Sequence, residues 1–104
     1  QDIAVVRIHD DRATVADGVD DLKAAMMDLI SGGQIRVVID LGRVAFADSS
    51  MLGVLVSALK LAARKRGDIR LFNMQPAVRA LFDLTRLHRV FESFDSEEEA
   101  LASF

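Results

Sequence analysis

Val37-Val38-Ile39-Asp40-Leu41, and after two residues Val44-Ala45-Phe46-Ala47-Asp48-Ser49-Ser50-Met51-Leu52-Gly53-Val54-Leu55, hold the clearest structural signal in this chain. The first five form an apolar run with one acid near its end, the pattern of a strand covered on both faces in a parallel sheet. The second run leads into a helix. Leu52, Leu55, Val56, Leu59, Ala62 and Ala63 recur as one apolar stripe, Ser57, Lys60, Arg64 and Lys65 take the opposite face, and Gly67 stops it. Between strand and helix stands the polar triplet Asp48-Ser49-Ser50.

Outward from this unit, strands and helices alternate. Upstream, Val19, Leu22, Met26, Leu29 and Ile30 predict a helix, with acids at its N-terminal end and Gly32-Gly33 beyond its last turn. Before it, residues 3 to 8 read as a strand and Ala13-Thr14-Val15 as its hairpin partner. Downstream, Ile69 to Phe72 predicts a strand, and Pro76 opens a helix through Val78, Leu81 and Phe82 that ends near Thr85. Val90 to Phe94 reads as a last strand, and Ser96 with Glu99 has the capping-box spacing of a short final helix. The predicted fold class is α/β: a mostly parallel mixed sheet of about five strands with about four helices, in a single domain over residues 1–104.

Composition narrows the chemistry. The chain has 104 residues, enough to bury about 65% of its extended surface without staples. It has no cysteine, which excludes disulfides, thiolate metal sites and a cysteine nucleophile. Thirteen basic against sixteen acidic residues, with neither Tyr nor Trp, give no broad positive field and no stacking platform for nucleic acid. Met51 to Ala63 is the longest nearly apolar stretch, too short for a bilayer span, so direct membrane insertion is not expected. His9 and His88 lie far apart in polar turns, so no metal site, cofactor site or catalytic triad is expected. Lys60, Arg64, Lys65 and Arg66 close a helix C-terminus, where cations complement the dipole, and read as a solvated face. Asp10, Asp11 and Asp40 have the residue types of a magnesium pocket in a phosphoacceptor receiver. The strand after the acidic pair and the missing lysine at the fourth strand's end count against that.

The triplet remains. One Asp or Ser side chain suffices to cap a helix, so three in a row leave at least one hydroxyl free in the first turn, near backbone N–H groups that favour an anion. The residues alone leave capping and phosphate acceptance both open.

The run from Val37 to Leu55 resembles the signature of STAS domains, and in particular of bacterial anti-sigma factor antagonists. The similarity continues through Arg70-Leu71-Phe72-Asn73, Pro76-Ala77-Val78, residues 81–87, Val90-Phe91 and residues 95–101. The resemblance implies a cytoplasmic partner-switching protein with no catalytic activity. Its phosphorylation site would be Ser49, and Asp48, Ser50 and Met51 would contribute to the partner-binding surface. The implied partners are a serine-protein kinase of the histidine-kinase-like ATPase fold, which also acts as anti-sigma factor, and a PP2C-type phosphatase. Met51 departs from the family, which usually has Gly there; it reads as a contact specialised for one partner, as a sign that kinase docking differs from the usual geometry, or as ordinary core. Gly53 matches the family and is expected to let helix and sheet approach closely. The alternative function is an unphosphorylated STAS scaffold in a membrane transport or lipid-transfer complex.

Overall fold

The computed structural model describes residues 3–8, 12–13 and 19–104. In chain order the elements are β1 (Ala4–Arg7), β2 (Arg12–Ala13), α1 (Val19–Ser31), β3 (Arg36–Asp40), β4 (Phe46–Ala47), α2 (Ser49–Arg64), β5 (Asp68–Phe72), α3 (Pro76–Leu84), a single 3₁₀ turn at Leu87–Arg89, β6 (Ser93–Phe94) and α4 (Glu97–Ala102). Four strands form one parallel sheet in the order β1-β3-β5-β6. As the continuous apolar run requires, β3 is central: Val37, Val38 and Ile39 are fully buried, paired to β1 on one side and β5 on the other.

Strand alternation divides the core in two. Val37, Ile39, Ile69 and Leu71 join Met26 and Ile30 of α1, Leu55, Ala58 and Ala62 of α2, and Phe82 of α3 in the larger cluster. Val38 and Phe72 point the other way, where Ala100, Leu101 and Phe104 cover them. Ser96 Oγ accepts from Glu99 N at 3.2 Å, the serine half of the predicted capping box. A charged bridge ties α4 to the sheet: Arg7 donates to Asp40 Oδ2 at 3.1 Å and to Glu97 Oε1 at 2.6 Å. Glu97 above all, with Asp40, holds the Arg7 guanidinium above its usual range.

Local details add to or change the expectations. Arg12–Ala13 pairs in parallel with Phe46–Ala47, and among the described residues no hairpin ladder joins it to β1; residues 14 and 15 lie outside them. The last strand shrinks to Ser93–Phe94, because Leu87–Arg89 coils and Phe91 turns its ring into the core, edge-on to Phe82 at 6.0 Å. Gly53 faces open space, with nothing within 4 Å of where a Cβ would stand. The close approach is instead at Gly67, whose Cβ would lie 1.9 Å from the Ile35 carbonyl oxygen.

Helices α1 and α2 end in the same way. Gln34 N donates to Leu29 O and Gly33 N to Ile30 O; correspondingly, Gly67 N donates to Ala62 O and Arg66 N to Ala63 O. These are Schellman closures, which need a left-handed residue just past the helix. Gly33 supplies it with φ 106, whereas α2 uses Arg66 with φ 66. A side chain in that region is strained, so Arg66→Gly is expected to raise stability by about 1 kcal/mol, read from chemical denaturation midpoints.

Candidate functional site

The site grows out of the turn between β4 and α2. Asp48 has extended backbone angles, φ −129 and ψ −176, and is the N-cap of α2. Its Oδ1 accepts from Ser50 N at 3.0 Å and from Met51 N at 3.3 Å, two of the backbone donors that a helix start leaves without intrahelical partners. Removing that acceptor in Asp48→Ala is expected to cost about 1 kcal/mol of stability, measured by thermal or urea unfolding.

Because Asp48 does the capping, neither serine is needed for it. Ser49 is the first helical residue and is exposed; Ser50 follows, half-buried. Among the described residues neither hydroxyl forms a hydrogen bond. The triplet therefore divides its labour: carboxylate inward on the helix start, Ser49 hydroxyl outward in solvent at the positive end of a 16-residue helix.

Met51 corrects the sequence reading. It is fully buried in the larger core cluster, so it cannot touch a partner directly. Its side chain anchors the first turn from beneath, and the exposed residue of this turn is Ser49. Gly53 lies one turn beyond Ser49 and is exposed, leaving bare backbone beside the hydroxyl. With no steric reason for glycine inside the domain, Gly53→Ala is expected to gain about 0.5–1 kcal/mol in a denaturation experiment. Phe46, 57% exposed on β4, stands two residues before the cap.

The other candidate positions resolve differently. Asp40 is a structural acid: Oδ1 accepts from Gly42 N at 2.8 Å and Oδ2 receives Arg7. Asp10, Asp11 and His9 lie outside the described residues. His88 Nδ1 is 3.7 Å from Asp83 Oδ1 on the surface. Among the described residues no group of three or more His, Asp or Glu is placed to hold a metal ion, and no helix is long and apolar enough to cross a membrane. Lys60 and Arg64 border an open groove of about 290 Å³ between α1 and α2, floored by Met27 and Leu61.

Comparison with known proteins agrees with this architecture. Residues 4–100 match the sequence model of the STAS domain. BtrV of Bordetella bronchiseptica, named as a candidate anti-sigma factor antagonist, is 31% identical over 83 residues, covering 80% of this chain and 72% of BtrV. The anti-sigma F factor antagonist of Paenibacillus polymyxa is 34% identical over 66 residues, covering 64% of this chain and 56% of that protein. Among solved structures, unphosphorylated SpoIIAA superposes with a TM-score of 0.82 at 24% identity, over 96% of this chain and 85% of that one. The phosphorylated form of the Bacillus SpoIIAA gives 0.73 at 22%, over 97% and 89%. A match spanning almost every residue, on a central β3 flanked by β1 and β5 and a capped α2 bearing a free serine, makes this chain a member of the STAS domain family.

Proposed function

We propose that this protein is an anti-sigma factor antagonist of the partner-switching type, acting in the cytoplasm, with Ser49 as its reversible phosphorylation site. The names of its relatives support the antagonist role. One observation carries the site assignment: Ser49 presents an exposed hydroxyl that bonds to none of the described residues, while the Asp48 carboxylate caps the helix. A kinase can therefore take that hydroxyl without unfolding any part of the domain.

In this reading the unphosphorylated protein binds a serine kinase of the histidine-kinase-like ATPase fold that doubles as anti-sigma factor, and so frees the kinase's other client. Phosphorylation releases the antagonist, and a PP2C-type phosphatase restores it. The domain is a substrate and a ligand, with no catalysis of its own. Asp48 and Ser50 contribute to the bound surface, and Met51 positions it from the core.

The chemistry of the switch is electrostatic. A phosphate on Ser49 brings about −1.5 to −2 charges next to the Asp48 carboxylate. It also competes with that carboxylate for the Ser50 and Met51 N–H groups. In solution water screens the repulsion, whereas in a desolvated interface it opposes binding.

The test is intact-mass analysis and fragment sequencing after incubation with ATP and the kinase captured by the wild-type protein. The expected product carries one phosphoryl group on Ser49 and none in Ser49→Ala. A phosphoryl group on Ser50 alone, or none at all, refutes the assignment.

A further inference from the structure

We infer that the turn closing α3 is a second docking face, shaped to receive an acidic protein segment that carries an apolar side chain. Leu84, the last residue of α3, is 81% exposed, and Val90, just past the 3₁₀ turn, is 52% exposed. Both are large apolar side chains held in water within one seven-residue turn, whereas Leu87 and Phe91 of the same segment reach the core.

The backbone fixes this arrangement. Thr85 N donates to Leu81 O and Arg86 N to Asp83 O, both at 3.1 Å; Arg89 N donates to Arg86 O at 3.2 Å and Val90 N to Leu87 O at 3.0 Å. Arg86 takes the left-handed φ of 62, a conformation that favours glycine. The knuckle is thus organised before any partner arrives, which lowers the ordering cost of binding.

Charge identifies the partner. Arg79, Arg86 and Arg89 are exposed, and among the described residues none of the three guanidinium groups forms an ion pair or hydrogen bond. Arg86 and Arg89 stand between the two exposed apolar side chains in the chain, and Arg79 lies upstream on α3; apolar side chains beside unpaired arginines match the composition of a protein interface. Asp83 and Glu92 interrupt the cations and the turn exposes no aromatic ring, so a nucleic-acid backbone or a broad anionic membrane is a poorer match than a segment with a few carboxylates. This inference does not rest on phosphorylation of Ser49.

The probe is a fluorescein-labelled helical peptide of Leu and Glu, paired with the same peptide carrying Lys for Glu, in anisotropy titrations against the full chain. The Glu probe is expected to bind saturably and more weakly as salt rises, and the Lys probe not to bind. Both the double variant Arg79→Glu/Arg89→Glu and Leu84→Ser should weaken the Glu probe at least about tenfold. All three side chains are exposed, so thermal melts should stay at the wild-type midpoint. Equal binding by wild type and variants, or no saturation by about 1 mM, overturns the inference. Two other outcomes overturn it by naming a different occupant: retention on phosphatidylglycerol vesicles that Arg79→Glu/Arg89→Glu abolishes, or self-association of the chain that Leu84→Ser abolishes.

Discussion

Ser49→Asp is expected to weaken binding to the kinase partner by at least about a hundredfold, while Ser49→Ala stays within a few-fold of wild type. A hundredfold loss corresponds to about 2.7 kcal/mol, within reach of one like-charge contact taken out of water. The contrast between the variants is what matters. Both remove the hydroxyl, but only aspartate adds a negative charge beside Asp48, which the cap bonds hold in place. Isothermal titration with the purified kinase measures both constants, and equal affinities for the two variants would contradict an electrostatic switch. The phosphorylated protein should show a further signature. Its second ionisation lies near pH 6, so acidification below that value removes one negative charge and should restore part of the lost affinity. Wild type lacks that ionisation and should not share the change.

Gly67→Ala should be the most damaging substitution of a small residue for one barely larger. The added methyl would stand 1.9 Å from the Ile35 carbonyl oxygen and 2.6 Å from Ile35 Cβ. That oxygen also accepts from Asp68 N at 2.9 Å, the bond that seats the start of β5 beside β3. No side-chain rotation relieves a clash with backbone, so the turn must move and loosen both the Schellman closure and the strand entry. The expected cost is about 3 kcal/mol, or a melting midpoint lowered by roughly 15 °C, by calorimetry. Gly53→Ala, the same change in an open position, provides the control of opposite sign.

The contrast between these glycines shows what the sequence could and could not reveal. Apolar periodicity located α1, α2, α3 and the central β3, because burial of one face or both leaves a direct trace in residue type. Ser96 and Glu99 announced α4 through cap chemistry. Steric closeness leaves no such trace: Gly53 and Gly67 are equally glycine, and only the path of the chain past Ile35 tells them apart. The short strands were harder for the same reason. Residues 12–13 and 93–94 form two-residue pairings set by neighbours distant in sequence, so local composition could not reveal the first pairing and overstated the length of the last strand. At the site, the triplet and its position were legible, whereas the assignment of the cap to Asp48 and the burial of Met51 needed coordinates. The α3 knuckle was missed because Val90 read as the start of a strand and Leu84 fell outside the apolar stripe; the signal available was the run of arginines at 79, 86 and 89.

Among the described residues, the six-residue α4 is the helical cover of one sheet face. Arg7 clasps Glu97 at one end, and Arg70 at the other both donates to Ser103 and stacks on the Phe104 ring 4.2 Å away. Peeling off so small a shutter would bare Val38 and Phe72 to water, leaving a flat oily strip on which two unlatched molecules could stack. Self-association of the purified protein should therefore rise when those clasps are removed.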